Sequence, residues 1–246
     1  MSEQAHILEV GELDLAFEPW PWEFAERQAA AIAAHWGRLT KAKPSLFNGR
    51  VLLLGHRLIE AGSDGLLKLS GVFFETDYAD FLAWTAFGHP GEPVENCFAM
   101  AALRSDDGAF LLGEMAHHTY SAGQVYFPAG TPDPNDVFDG KVDLEASARR
   151  ELLEETGLLA GETNMAAHWT VVITPQRIAC MKLMTFPLPA EQLKARIEAF
   201  LARDPLAEFS RMHLVRDPYD IDETRVPIFV ADYLRYAFDQ RSVGYP

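Results

Sequence analysis

Arg149 to Leu158 reads RRELLEETGL, and three glutamates, Glu151, Glu154 and Glu155, fall within little more than one helical turn. Like charges at that spacing repel, so the run carries a cost that any account of the fold has to explain. Arg, Leu and Glu favour the helix and Gly157 supplies a stop, which predicts a helix opening near Asp143, a good N-cap, and closing at Gly157. At about 100° per residue Glu154 lies about 300° round from Glu151, and Glu155 about 40°, so the three share one arc. Such a cluster suits a hard divalent cation, because Mg2+ prefers carboxylate and water oxygens and often shares its shell with substrate phosphates. The ion would also neutralise the repulsion.

Upstream of this helix, the apolar runs Cys97 to Leu103 and Ala109 to Glu114 flank Ser105-Asp106-Asp107-Gly108, a hairpin signal. Gln124 to Phe127 reads as a short strand running into Pro128-Ala129-Gly130 and a long polar loop. Downstream, Trp169 to Thr174 and Ile178 to Phe186 read as strands around a Pro-Gln turn, Ala190 to Ala202 as a helix, Met212 to Val215 as a strand and Pro227 to Phe238 as a last helix. The breaker Gly88-His89-Pro90-Gly91 is the candidate boundary, dividing the chain into 1–90 and 91–246. Before it, Trp22 to Leu39 reads as an amphipathic helix with Phe24, Ile32 and Trp36 as core anchors. Val51 to Leu54 and Leu66 to Phe74 read as strands, and Thr76 to Trp84 as a short helix or turn. Mixed elements in this order predict an α+β or α/β layered domain after residue 90, with a smaller α+β extension before it.

Composition narrows the function. With 21 Lys plus Arg against 36 Asp plus Glu, the formal charge of -15 repels a phosphate backbone, so nucleic acid is not the expected partner. The two cysteines, Cys97 and Cys180, sit in apolar runs and read as buried free thiols of a reducing compartment. The acidic N-terminal stretch lacks the basic start and apolar core of a signal peptide, and no apolar run is long enough to span a membrane. The expectation is a cytoplasmic protein.

Arg150-Glu151-Leu152-Leu153-Glu154-Glu155-Thr156-Gly157-Leu158 resembles the second half of the Nudix hydrolase signature, G-x5-E-x7-R-E-U-x-E-E-x-G-U with U aliphatic, at every specified position. The first half departs from it. Counting back from Arg150 puts the consensus glycine on Asp136 and the upstream glutamate on Val142. Phe127-Pro128-Ala129-Gly130 resembles the turn that opens the motif, and Gly130 stands twenty residues before Arg150 where the signature has fourteen. A six-residue insertion within Thr131 to Gly140 follows, with Asp143 or Glu145 standing in for the upstream acid.

The resemblance implies an α/β/α sandwich around a mixed sheet and hydrolysis of a nucleoside diphosphate linked to another group. Glu154 and Glu155 resemble the main ligands of Mg2+ or Mn2+, Glu151 a further ligand or the base that activates water, and Arg150 the arginine that positions a motif glutamate. Gly130 would lend its backbone carbonyl to the metal.

Scattered positions in the extension, Ile32 to Trp36, Pro44 to Gly49 and Asp80-Phe81-Leu82, together with Phe127 to Pro134, resemble the UDP-glucose and UDP-galactose diphosphatase branch, which yields UMP and a sugar 1-phosphate. Gln124 to Gly130 followed by Asp133 to Asp136 is also similar to coenzyme A diphosphatases, and ADP-ribose is a further alternative. Tyr126, Phe127 and Trp169 are candidates to stack on a base, with core packing as the plainer reading for each. Glu208 is a candidate extra ligand or base, against an exposed surface role. His117-His118 and the acidic loop Asp220, Asp222, Glu223 read as surface groups. A binding module of the same fold, without catalysis, is the competitor from another class. The implied partner is a small nucleoside diphosphate derivative; a homodimer is compatible with the sequence.

Overall fold

The structure, a computed structural model, describes residues 5–242; the first four residues of the acidic N-terminal stretch lie outside them. The extension runs β1 (His6–Phe17), α1 (Glu23–Arg27), α2 (Ala29–Ala42), β2 (Arg50–Ala61), β3 (Leu67–Asp77) and α3 (Tyr78–Ala86). After the Gly88 to Gly91 breaker come β4 (Asn96–Ser105), β5 (Phe110–Met115), β6 (Val125–Tyr126), β7 (Ala129–Gly130), β8 (Val137–Phe138), β9 (Lys141–Val142) and α4 (Leu144–Thr156). The chain then passes through β10 (Asn164–Met165), β11 (Trp169–Thr174), β12 (Arg177–Phe186), α5 (Ala190–Leu201), β13 (Phe209–Val215) and α6 (Ile228–Ser242).

The long strands form one mixed sheet in the order β13-β5-β4-β12-β11-β1-β3-β2, with β4 parallel to β12, β1 parallel to β3, and the other neighbours antiparallel. The extension shares this sheet, because β1 pairs with β11 from His6 opposite Ile173 to Val10 opposite Trp169. Alternation along β4 serves two cores. Cys97, Ala99, Ala101 and Leu103 pack with Leu144, Ala148 and Leu152 of α4 and with α5, whereas Phe98, Met100 and Ala102 pack with Phe229, Val230 and Tyr233 of α6. Helices therefore cover both faces. A third cluster joins Trp22, Phe24 and Ile32 to Leu53, Phe74, Ala83 and Trp84, fastening α1 to α3 onto the extension's strands.

Two of the differences from the sequence expectation concern the extension. The helix predicted over Trp22 to Leu39 is two helices, with Gln28 at φ -104° closing α1 and opening α2, while Phe24 and Ile32 still reach one cluster and Trp36 packs at its edge. Strand β1 was not expected at all. A bulge between Val10 and Glu12 reverses its phase, so Leu8 and Val10 face the core before it and Leu13, Leu15 and Phe17 after it. A period-2 pattern broken in the middle has no consistent apolar face in sequence.

Candidate active site

Strands β4 and β5 pair through Arg104 and Phe110 and then splay, each taking another partner: β7 lies on β4, with Ala99 opposite Gly130, and β6 lies on β5, with Gly113 opposite Tyr126. The opening admits the glutamate face of α4. That helix begins where Asp143 Oδ1 accepts from the backbone N–H of Glu145 and Ala146, at 3.0 and 2.9 Å, and ends at Gly157, whose φ of 69° favours glycine.

The three glutamates are not equivalent. Glu155 is buried at 4% exposure, and its Oε2 accepts from the Ala129 N–H at 3.0 Å. Glu151 is mostly buried, and its Oε1 accepts from Arg150 Nη1 at 2.8 Å. Glu154 points outward, its side chain 59% exposed and 3.5 Å from Arg150 Nη1. Among the described residues no ready-made metal cage of three or more His, Cys, Asp or Glu is present. The shared arc expected from the helix is thus correct for backbone positions but not yet for the carboxylate groups.

Electrostatics still favour a cation. Burial, helped by Glu154, Glu208 and Asp136 and opposed by Arg150, pushes the Glu151 carboxyl up to about 7. Burial followed by Glu151 and Glu208 pushes Glu155 well above the carboxylate range. Hard oxygen donors that raise one another in this way match Mg2+ in chemistry, with rotation of Glu154 and Glu151 required to complete a coordination shell. Gly130 is packed tightly here, since a Cβ on it would lie 2.4 Å from Glu151 Oε1.

The acid that the structure brings to Arg150 is Asp136, a residue that sequence reasoning missed. Its carboxylate, 2% exposed as a residue, accepts from Arg150 Nη2 at 3.2 Å through Oδ1 and 3.0 Å through Oδ2. Neither earlier candidate takes this role: Asp143 caps α4, and Glu145 pairs with Arg149 and with the buried Lys182 at 2.7 and 3.1 Å. Gly130 and Asp136 are six apart, the spacing of the signature's glycine and acid, so the signal was present with Asp in place of Glu. The insertion therefore follows the acid. Its six residues match the hairpin Val137 to Val142, with Asp139 and Gly140 at φ 49° and 74° in the turn, which overlaps the end of the expected window Thr131 to Gly140 and runs two residues past it.

Beside Gly130 lies a cavity of about 590 Å³ on the α3 and α6 face. Tyr126 and Glu208 border it near the glutamates, α3 supplies Tyr78, Phe81 and Trp84, and Arg177 and Phe229 line it elsewhere. Burial raises Tyr126 to about 12 and also raises Glu208, whose residue surface nonetheless remains open to solvent. Phe127 does not line this cavity; it is fully buried against Phe110 and Tyr233. Trp169 likewise serves the core and stacks under Lys182. His117 is exposed and His118 half-buried, the latter acting on Glu208. Cys97 and Cys180 are free and buried. No helix among the described residues is long and apolar enough to cross a membrane.

Comparison with known proteins gives a family match over part of the chain: residues 96–180, from the first residue of β4 into β12, match the NUDIX domain. No curated protein matches. Among solved structures, a Nudix hydrolase from M. smegmatis, RenU, is similar at 14% identity and a TM-score of 0.40, over 61% of this chain and 87% of that one. The MutT protein from Methanosarcina mazei Go1 gives 15% identity and a TM-score of 0.37 over 60% and 96%. A NUDIX hydrolase from Nitrosomonas europaea gives 16% and 0.34 over 62% and 93%.

Proposed function

We propose that the chain, whose residues 96–180 match the NUDIX domain, is a Nudix hydrolase that cleaves the diphosphate of a UDP-sugar, releasing UMP and a sugar 1-phosphate with Mg2+. The observation that carries the reading is the cavity that begins at Gly130 and is walled by α3 of the N-terminal extension. Two stretches that resemble the UDP-sugar branch meet there: Phe81 and Leu82 on one side, and Ala129, Gly130 and Thr131 on the other.

A diphosphate resists attack because its oxygens repel a nucleophile; a divalent ion, when bound, screens that charge and acidifies water. Glu151, Glu154 and Glu155 would hold it, with the Gly130 carbonyl. Arg150, fixed by Asp136, orients the Glu151 carboxylate through the 2.8 Å hydrogen bond. Glu151, with its carboxyl near 7, is suited to take the proton from water as its oxygen attacks one phosphorus in line and the bridging oxygen leaves with the other phosphate. Glu208, at the cavity border, is the alternative base. Tyr126 offers a hydroxyl and a ring to the bound nucleotide. A reducing, cytoplasmic setting is supported by the two free buried thiols.

The test is a panel of UDP-glucose, UDP-galactose, ADP-ribose, NADH and coenzyme A, each with and without Mg2+, read by product chromatography. UMP from the UDP-sugars in the presence of Mg2+ is the expected result. Turnover of coenzyme A alone would move the assignment to that class, and binding without cleavage of any member would make the protein a nucleotide-recognition module.

A further inference from the structure

The cavity contains a cation that no acid among the described residues pairs with. Arg177, the first residue of β12, lines it, and its guanidinium lies 4.8 Å from the centroid of the Phe229 ring. Among the described residues it has neither an ion-pair partner nor a side-chain hydrogen bond, whereas Arg150, Arg211, Arg225 and Arg235 are each held by carboxylates. Burial lowers the affinity of Arg177 for its proton, with Tyr126 acting the other way. An uncompensated, half-buried guanidinium is costly, and the five donors of its planar fork match a carboxylate or phosphate. Around it are further unsatisfied polar atoms: Trp84 Nε1 and Asn96 Oδ1 have no partner, and both residues line the cavity. Burial, and after it the Arg177 charge, disfavours protonation of the His89 ring, which packs against Trp84 at 4.4 Å.

Arg177 is set apart from the metal-binding end. Its register partner on β4 is Asn96, while that of Gly130 is Ala99. Three strand residues correspond to about 10 Å. Tyr126 lies between the two in charge, acted on by Glu155 and Glu208 as well as by Arg177. A diphosphate engaged at the glutamates therefore leaves Arg177 available to another part of the same molecule.

We infer that Arg177 forms a second anion subsite, which receives an acidic group that the substrate carries beyond its diphosphate, either a carboxylate on the sugar or a phosphate on the ribose. This deepens the diphosphatase reading and rests on it for the position of the nucleotide. It narrows the substrate class from nucleoside diphosphate derivatives in general to those bearing an additional acid.

Two matched pairs separate the sources: UDP-glucuronate against UDP-glucose, and coenzyme A against dephospho-coenzyme A. In the wild-type protein the acidic member of one pair should exceed its neutral partner by about tenfold or more in kcat/KM, the size of one charge-assisted contact. Arg177→Ala should bring that ratio close to one, and Arg177→Lys should restore part of it, with circular dichroism and melting temperature verifying the fold of each variant. Calorimetric titration with the same four nucleotides in the absence of divalent metal gives the corresponding binding ratio. Preference in binding without turnover would support the subsite while removing the diphosphatase reading. Turnover with no preference in either pair, or an equal loss on both members in Arg177→Ala, would overturn the subsite and leave the diphosphatase reading intact.

Discussion

Arg150 holds Asp136 with Nη2 and Glu151 with Nη1, so one guanidinium ties the loop before the inserted hairpin to the glutamate face of α4. Asp136 is buried, and removing it leaves Arg150 without its fork partner. Asp136→Ala should cost toward the lower end of the about 3–5 kcal/mol typical of a broken buried pair, because Arg150 retains some solvent. The freed guanidinium should also let Glu151 drift, lowering kcat on the order of 100-fold. Denaturant unfolding and steady-state kinetics measure the two effects, and Asp136→Glu, which keeps the charge, should recover part of both. Equal activity in Asp136→Ala and wild type would mean that the pair does not position Glu151.

Gly130 provides a different test, because its packing contact is with Glu151, the proposed base, and not with the core. A methyl there would approach Glu151 Oε1 to 2.4 Å and Cδ to 2.7 Å. The atoms in the way belong to the end of a flexible side chain, so the fold can yield at a cost of about 1 kcal/mol. The carboxylate would then be displaced from its site. Gly130→Ala should therefore lower kcat by about tenfold or more, the scale of a small misplacement, while thermal unfolding changes little. A variant that lost stability but retained specific activity would reverse this assignment.

The helix α4 was legible because its boundaries and charges are local: an N-cap, a glycine stop and glutamates in fixed spacing all lie within one segment. Strands β4, β5, β11 and β12 were legible for the same reason, as short apolar runs bounded by turn residues. Asp136 was hidden by where the insertion falls. Counting back from Arg150 crosses the hairpin Val137 to Val142 before it reaches the acid, whereas counting forward from Gly130 meets the acid at once. The cavity was hidden by a more general cause. Its walls come from α3, β4, β12 and α6, and nothing local to Phe81 or Arg177 announces that the two residues line one space.

The inserted hairpin makes a contact that can be removed as a unit. Its ends are already joined, since the Asp143 N–H donates to the Asp136 carbonyl at 2.8 Å. Its tip reaches the extension, where Gly140 accepts from the Phe17 N–H at 2.9 Å and Lys141 pairs with Asp14 at 2.9 Å. Deleting Val137 to Val142 should leave Asp136 near Arg150 and preserve hydrolysis, while loss of these contacts and of buried Val142 lowers Tm by roughly 2–8 °C, a cost of about 1–2 kcal/mol in a chain of this size. Loss of activity in a folded deletion variant would show instead that the hairpin sets the position of Asp136.

Glu155 should show the conflict between binding and stability most directly. It is buried beside Glu151 and within reach of Glu208, so in the absence of a cation its charge disfavours the folded state. Glutamine keeps a carbonyl oxygen that can accept from the Ala129 N–H, and removes the charge. Without divalent metal, Glu155→Gln should melt a few degrees higher than the wild type, as expected for a gain of about 1 kcal/mol. With Mg2+ added the order should change, because an ion that binds only the folded protein raises the wild-type melting temperature and has a weaker site in the variant. Hydrolysis by Glu155→Gln should fall by at least about 100-fold, the loss expected when a group that positions transition-state charge is removed. Melting curves with and without Mg2+ for the two proteins decide the matter: a metal-independent difference between them would mean that Glu155 is a buried acid unconnected with the ion.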